Sequence, residues 1–294
     1  KGAMKGDGQR WTSDPDGDAA GEAGGSGHVG AGRKVHIPRA SPANRQGRVV
    51  ADAMAGIDSQ YGGPQGSLVI KVFDITAAAT GLNEKEIKAS GIDYEKAYIT
   101  SQSHASYYPG ATGMQIKLLF EKNGGRILGA QAVGQKGEDK RCDVLAVAVR
   151  LGLTVSQLPG LELCYAPPYS SAKDPVNMLG YVTENLMSGK GSQRHWGRPL
   201  TEAEKEQALL LDVRTQSEHD AGKIEGAVHI PLDDLRQRLG ELPSDKTLYV
   251  HCQSGQRSYL ACRILKQNGW RCHNMAGGYN VNQLHSKTKT GAAW

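Results

Sequence analysis

Residues 247–258 read TLYVHCQSGQRS, an apolar run followed by a polar, glycine-containing loop and the start of a helix. The run Thr247–His251 predicts a buried strand, and Ser258–Asn268 (SYLACRILKQN) predicts the helix that follows it. Upstream, two further short strands are predicted at Leu209–Val213 and Ala227–Ile230.

A helix is predicted between these strands at Leu232–Leu239. Alternation of strands and helices is typical of a parallel sheet covered by helices. The sequence therefore predicts an α/β domain with a parallel sheet and flanking helices over residues 201–286.

The chemistry of this domain centres on Cys252, which lies at the carboxyl end of one predicted strand, where ligand sites form in open parallel sheets. The next helix begins a few residues later, and the dipole and free N–H groups at its N-terminus favour a thiolate. Gly255 lets the loop curl so that successive amides point inward, and Arg257 adds a positive charge. We interpret Cys252 and Arg257 as catalytic. The active-site loop is predicted to include Gln253, Ser254, Gly255, Gln256 and Ser258.

Loop length distinguishes two chemistries. Four residues separate Cys252 from Arg257, whereas a phosphatase loop of the C-x₅-R type has five, because it must enclose a tetrahedral oxyanion. The shorter loop fits one bound sulfur atom better, so sulfur transfer is favoured. Phosphatase-like or arsenate-reductase-like use of the loop stays open as the alternative.

Residues 66–189 are predicted to form an α+β domain with an antiparallel sheet and helices. The turn at Asn123–Gly125 separates two of its strands. The predicted strands are Ser67–Asp74, Met114–Glu121 and Ile127–Val133. The predicted helices are Lys140–Leu151 and Ala172–Met187.

The remaining segments carry weaker patterns. Residues 1–65 are rich in glycine and are predicted to be partly loop, with a connecting helix at Ala43–Ala55. Residues 190–200 are predicted to be a linker, and residues 287–294 a tail without pattern.

Bulk properties exclude several classes of protein. The 294 residues carry a formal net charge of only +5 without a dense basic block, so we expect no nucleic-acid partner. No apolar run is long enough to span a membrane, and no signal peptide is visible. Five scattered cysteines, none in a C-x-x-C pair, argue against a disulfide framework and against a metal site. A cytoplasmic protein is the expectation.

Four stretches of the C-terminal region, LLLDVRT, AGKIEGAVHIPL, CQSGQRS and NMAGGY, resemble a single-domain rhodanese in order and spacing. The resemblance implies that Cys252 carries a persulfide. It also implies a persulfide or thiosulfate donor and a thiol acceptor. Asp212 and Arg214 match an element that supports the fold beside the site, and His229 and Pro231 match a structural turn.

Residues 38–188 resemble the C-terminal dimerisation region of the flavin-dependent coenzyme A disulfide/persulfide reductases, some of which are fused to a C-terminal rhodanese domain. The stretches SPANRQGR, FDITAAATGLNEKEI, SHASYYPGAT, GEDKRCDVLA and ELCYAPPYSSAKDPVNMLGY carry this resemblance. It implies a homodimer through residues 66–189. It also implies FAD, NAD(P)H and coenzyme A as cofactors of the complete family enzyme.

The same resemblance implies ligand contacts across a dimer interface. Coenzyme A would meet Asn44, Arg48, Lys173 and Tyr107, and Tyr165 would approach the redox centre. Asp18 matches a position on the flavin's ribityl chain. These roles are conditional on a complete partner, and Tyr108 and Tyr169 are close alternatives.

The family places its FAD and NAD(P)H sites in N-terminal domains, which we expect to be largely missing from this chain. No G-x-G-x-x-G motif follows a predicted strand. We therefore expect that the chain does not hold FAD alone. The leading hypothesis is an enzyme, a sulfurtransferase joined to a reductase dimerisation domain. The alternative is a non-catalytic, dimer-forming fragment.

Overall fold

The computed structural model describes residues 4–5, 12–14, 17–21, 24–29, 34–198 and 200–288. Parts of the predicted 1–65 segment and most of the predicted tail therefore lie outside the described residues. The chain divides into two compact units. The first comprises residues 1–95 and 118–154, and the second comprises residues 96–117 and 155–294.

The N-terminal segment contains short strands and one long helix. The strands are β1 (Met4–Lys5), β2 (Gly24–Gly27) and β3 (Lys34–Val35), and the helix is α1 (Ala40–Met54). β1 pairs with β2 in parallel, and β2 pairs with β3 in antiparallel orientation. α1 confirms the predicted connecting helix and begins three residues earlier.

The antiparallel sheet predicted for residues 66–189 is present, with strand order β4-β5-β8-β7-β6. Its strands are β4 (Leu68–Val72), β5 (Ile75–Gly81), β6 (Tyr94–Gln102), β7 (Gly113–Glu121) and β8 (Ile127–Gly134). The associated helices are α2 (Glu84–Ser90), α3 (Glu138–Arg150) and α4 (Pro175–Met187). β4–β5 and β5–β8 are antiparallel pairs. The predicted α+β fold is therefore confirmed.

Local capping explains where α4 begins. The helix was predicted from Ala172 but starts at Pro175, because the Asp174 side chain accepts a hydrogen bond from the backbone N–H of Val176 and so caps the helix. Proline fits the first helical turn, where an N–H group would lack an intrahelical partner. The preceding residues therefore stay outside the helix.

The C-terminal sheet is parallel throughout, with strand order β11-β10-β12-β13-β9. Its strands are β9 (Gln193–Arg194), β10 (Ala208–Asp212), β11 (Val228–His229), β12 (Thr247–His251) and β13 (Cys272–Met275). Its helices are α5 (Glu202–Glu206), α6 (Gln216–Asp220), α7 (Gln256–Gln267) and α8 (Gly278–Thr288). The predicted α/β architecture is confirmed.

The central strands of this sheet are buried on both faces, which is why they read as continuous apolar runs. Successive side chains point to opposite faces. Leu211 and Leu248 therefore pack in one core cluster, while Leu210 and Tyr249 pack in another with Trp196.

Two segments differ from the prediction. The helix predicted at Leu232–Leu239 is wrong, because these residues form consecutive turns that lead into a short 3₁₀ helix at Leu239–Glu241. Only Leu235 is fully buried there, and such a short, mostly polar stretch cannot offset the cost of helix nucleation. Within the segment predicted as a linker, Gln193–Arg194 forms β9 at the edge of the sheet.

No helix among the described residues is long and apolar enough to cross a membrane.

Candidate active site

Cys252 lies between the end of β12 and the start of α7, as the sequence predicts. Its side chain is fully buried, with 0% of its surface exposed. Gly255 precedes α7 with a φ of 109°, a backbone region that residues with a Cβ rarely adopt. This conformation directs the Gly255 N–H to the Cys252 Sγ at 3.1 Å. The loop backbone, rather than bulk water, therefore solvates the sulfur.

A second polar group near the sulfur is the Ser258 hydroxyl, 3.4 Å from the Cys252 Sγ. The same hydroxyl donates to the Asn274 Oδ1 at 2.7 Å, and it has only one hydrogen to give. The Asn274 amide in turn donates to the Gly255 carbonyl at 3.0 Å. Asn274 thus forms hydrogen bonds with both Gly255 and Ser258, which lie on either side of the start of α7. Sequence analysis missed this residue, although it opens the NMAGGY stretch.

We expect Asn274→Ala to lower the free energy of unfolding by about 1–3 kcal/mol, because it removes the two hydrogen bonds that Asn274 makes with the Ser258 hydroxyl and the Gly255 carbonyl. Urea unfolding of the full chain measures this change. Asn185→Ala is the matched control, since no hydrogen bond of its side chain holds the Cys252 loop. Equal midpoints for the wild type and Asn274→Ala would contradict the assignment.

Arg257 forms a two-point ion pair with Glu218 of α6. Its Nη1 and Nη2 donate to the Glu218 Oε2 and Oε1, each at 2.7 Å. These bonds, against a smaller opposing effect of burial, lower the pKa of Glu218 to about 2. The same pairing raises the pKa of Arg257. Sequence analysis identified Arg257 but missed Glu218, which lies 39 residues earlier in the chain.

Asp212 and Arg214 form a buried ion pair with exposures of 0% and 1%. Burial alone would raise the pKa of Asp212, but hydrogen bonds from Arg214 together with the interactions of His251 and His219 outweigh it and bring the pKa to about 2. Arg214 also donates to the Gly222 carbonyl at 2.8 Å and to the Gln253 Oε1 at 3.4 Å. The pair therefore connects the end of β10 to the loop that holds Cys252.

His251 immediately precedes Cys252 and is fully buried. Burial lowers its pKa to about 4, although the charge of Asp212 opposes this effect. The ring is therefore neutral in the folded chain near neutral pH. Its Nε2 has no hydrogen-bond partner among the described residues.

The buried His251 predicts acid sensitivity. In the unfolded chain the imidazole takes up a proton below its ordinary pKa of 6.5, whereas the folded chain resists protonation down to about pH 4. Stability is thus complete above pH 6.5 and is lost as the pH falls toward 4. We expect a loss of about 1–2 kcal/mol at pH 5. Urea midpoints at pH 5 and above pH 6.5 measure this loss. A His251→Asn variant whose stability depends on pH as strongly as that of the wild type would contradict the assignment of the loss to His251.

A cavity of about 490 Å³ adjoins residues 254–256 of the loop. All its described lining residues belong to the second unit. The apolar part of its wall includes Met178, Leu186 and Leu260, and hydroxyl and amide groups supply the rest. None of the described lining residues is charged, so the cavity suits an uncharged organic molecule or an uncharged portion of one.

The predicted coenzyme A and flavin residues are all exposed. In the first unit, Asn44 and Arg48 lie one turn apart on α1, and Asp18 is exposed beside the buried Ala19. No α-helix occurs among the described residues before Ala40, so these residues show no strand–helix unit that could hold a dinucleotide. The contact of Asp18 with FAD stays a prediction.

In the second unit, Tyr107 and Tyr165 have hydroxyl oxygens 3.3 Å apart. The hydrogen bond to Tyr107 raises the pKa of Tyr165. Both rings are exposed, at 75% and 48%, and Lys173 is exposed as well. The contacts of these side chains with coenzyme A or a redox centre stay predictions.

Two family models match the chain in succession. Residues 68–175 match the dimerisation domain of pyridine nucleotide-disulphide oxidoreductases, and residues 199–283 match the rhodanese-like domain. The order of the two matches is the order that the sequence resemblances predict.

The chain is similar to several known proteins. The coenzyme A disulfide reductase of Staphylococcus aureus (strain NCTC 8325) is 40% identical over 154 residues, 51% of this chain and 35% of that protein. The structure of reduced Bacillus anthracis CoADR-RHD superposes with a TM-score of 0.93 at 45% identity, covering 98% of this chain and 52% of that one.

A NAD-dependent persulfide reductase from A. fulgidus superposes with a TM-score of 0.87 at 38% identity, covering 94% of this chain and 50% of that one. The chain thus spans about a third of the curated relative and about half of these two structures. It contains a stretch similar to a reductase dimerisation domain, followed by a rhodanese-like stretch.

Proposed function

We propose that this chain is a rhodanese-type sulfurtransferase in which Cys252 carries the transferred sulfur. The observation that carries the proposal is the Gly255 N–H directed at the Cys252 Sγ at 3.1 Å, at the start of α7. A backbone donor in this position stabilises negative charge on sulfur without reorganisation of the site.

The proposed reaction has two displacements. The Cys252 thiolate attacks the outer sulfur of a donor R–S–SH, the donor's S–S bond breaks, and R–S⁻ leaves. Cys252 then holds the sulfur as a persulfide. A thiolate acceptor attacks this outer sulfur, a new persulfide leaves, and the Cys252 thiolate is restored.

A persulfide-related redox role fits the two matched family models and the relatives. In a complete protein we propose that sulfur transfer is coupled to NAD(P)H-dependent reduction of coenzyme A persulfide or disulfide through FAD. Residues 66–189 would form the homodimer. Asn44, Arg48, Lys173 and Tyr107 would then meet coenzyme A, and Tyr165 the redox centre.

The enclosed sulfur disfavours phosphatase-like chemistry. A phosphoryl group needs room for a tetrahedral oxyanion above the Cys252 Sγ, whereas the side chain is fully buried and the Gly255 N–H already lies at 3.1 Å. A single added sulfur atom needs less space within this loop than a phosphoryl group does.

Intact-mass spectrometry of the purified chain tests the proposal. After treatment with thiosulfate or an alkyl persulfide, we expect a mass increase of one sulfur atom that maps to Cys252 and disappears on addition of a thiol acceptor. A folded protein that gains no sulfur from either donor would be a non-catalytic fragment. Hydrolysis of an aryl phosphate dependent on Cys252 would instead support the phosphatase reading.

A further inference from the structure

Among residues 252–258, Arg257 is the one cationic residue, and it lies in the first turn of α7, where it is paired with a carboxylate. Both terminal nitrogens of its guanidinium donate to Glu218 at 2.7 Å. The two side chains are each 32% exposed, so the pair lies at the solvent-facing side of the loop. A donor that approaches from this side meets a charge-balanced pair rather than a free cation.

Glu218 is itself held in place from its own helix. Its Oε2 accepts hydrogen bonds from the N–H and the hydroxyl of Thr215, each at 3.0 Å, in a capping box at the start of α6. These contacts keep the carboxylate from turning away when a second anion competes for Arg257.

The second guanidinium near the loop is neutralised in the same way. Arg214 is buried against Asp212, with Nη2 and Oδ2 2.7 Å apart. The other residues between Cys252 and Arg257 are uncharged. Both arginines that contact the loop or form part of it are therefore paired with carboxylates, and a doubly charged donor gains little from either.

We propose that Glu218 is a specificity-determining residue that disfavours doubly charged sulfur donors and leaves uncharged or singly charged organic persulfides favoured. This inference rests on the proposed sulfurtransferase function. Thiosulfate transfers its outer sulfur to the Cys252 thiolate and releases sulfite, so the donor is a dianion, and it gains no net attraction from an Arg257 cation that Glu218 already neutralises. A protonated alkyl persulfide transfers the same sulfur and releases a thiolate, and its approach does not depend on such an attraction.

Glu218→Gln tests the inference, because glutamine keeps an oxygen for the capping box while removing the charge. We expect kcat/KM for thiosulfate to rise about 10-fold relative to kcat/KM for ethyl persulfide, because loss of the Glu218 charge leaves the Arg257 cation free to attract a dianion. Glu241→Gln is the matched control. Its carboxylate pairs with Arg238 at 2.7 Å in the same unit, away from the loop, and the ratio should not change.

The salt dependence of the wild-type chain gives an independent measurement that needs no variant. A charge-balanced site predicts that kcat/KM for thiosulfate falls little as the salt concentration rises, whereas a free cation predicts a steep fall. A steep fall, or a donor ratio that is the same in Glu218→Gln and the wild type, would overturn the inference. A wild-type chain that takes sulfur from neither donor would overturn the sulfurtransferase proposal itself.

Discussion

Replacement of Cys252 by serine should abolish sulfur transfer from either donor, a loss of at least about 10³-fold. The serine hydroxyl is nearly isosteric but is not ionised near neutral pH, so it cannot attack the outer sulfur. Because the side chain is fully buried and the Gly255 N–H can donate to oxygen as it does to sulfur, we expect the variant to fold normally. Transfer rates and intact mass measure the loss directly.

The matched control for this variant is Cys164→Ser. Cys164 is an exposed cysteine, so it reports non-specific persulfidation of surface cysteines. We expect this control to keep wild-type transfer rates and wild-type sulfur content. If Cys252→Ser retained transfer while Cys164→Ser lost it, the sulfur carrier would be Cys164, and the assignment of the β12–α7 loop would be wrong.

The sequence predicts the C-terminal sheet well because its signals are local. β12 is an apolar run with a polar loop directly behind it, and β10 has the same character. The turns after Pro231 show the limit of this reasoning. Their leucines suggest a helix, but tertiary contacts bury only Leu235 fully. Short segments of this kind take their conformation from packing rather than from propensity.

The same contrast holds within the candidate site. Cys252, Gly255 and Arg257 are contiguous in the chain, and the arrangement of a strand, a loop and a helix identifies them. Glu218 and Asn274 become partners of this loop only through the fold, because they lie on α6 and β13. No local pattern distinguishes Glu218 from the other acidic residues of the region, so its pairing with Arg257 required the structure.

The second large effect concerns stability, at the buried ion pair of Asp212 and Arg214. Arg214→Ala leaves the fully buried Asp212 carboxylate without its main cationic partner and removes the hydrogen bonds to Gly222 and Gln253. We expect the free energy of unfolding to fall by about 3–5 kcal/mol, the cost of an uncompensated buried charge. Urea unfolding followed by tryptophan fluorescence measures it, because Trp196 packs in the core of the same parallel sheet.

Arg238→Ala is the matched control, because Arg238 forms a geometrically similar pair with Glu241 at the surface, with exposures of 39% and 54%. Its removal should cost at most about 1 kcal/mol, since solvent already screens the two charges. The double variant Asp212→Leu/Arg214→Leu separates charge from packing, because it removes both buried charges together and should recover part of the loss. Equal losses for Arg214→Ala and Arg238→Ala would show that burial gives the Asp212–Arg214 pair no special importance for folding.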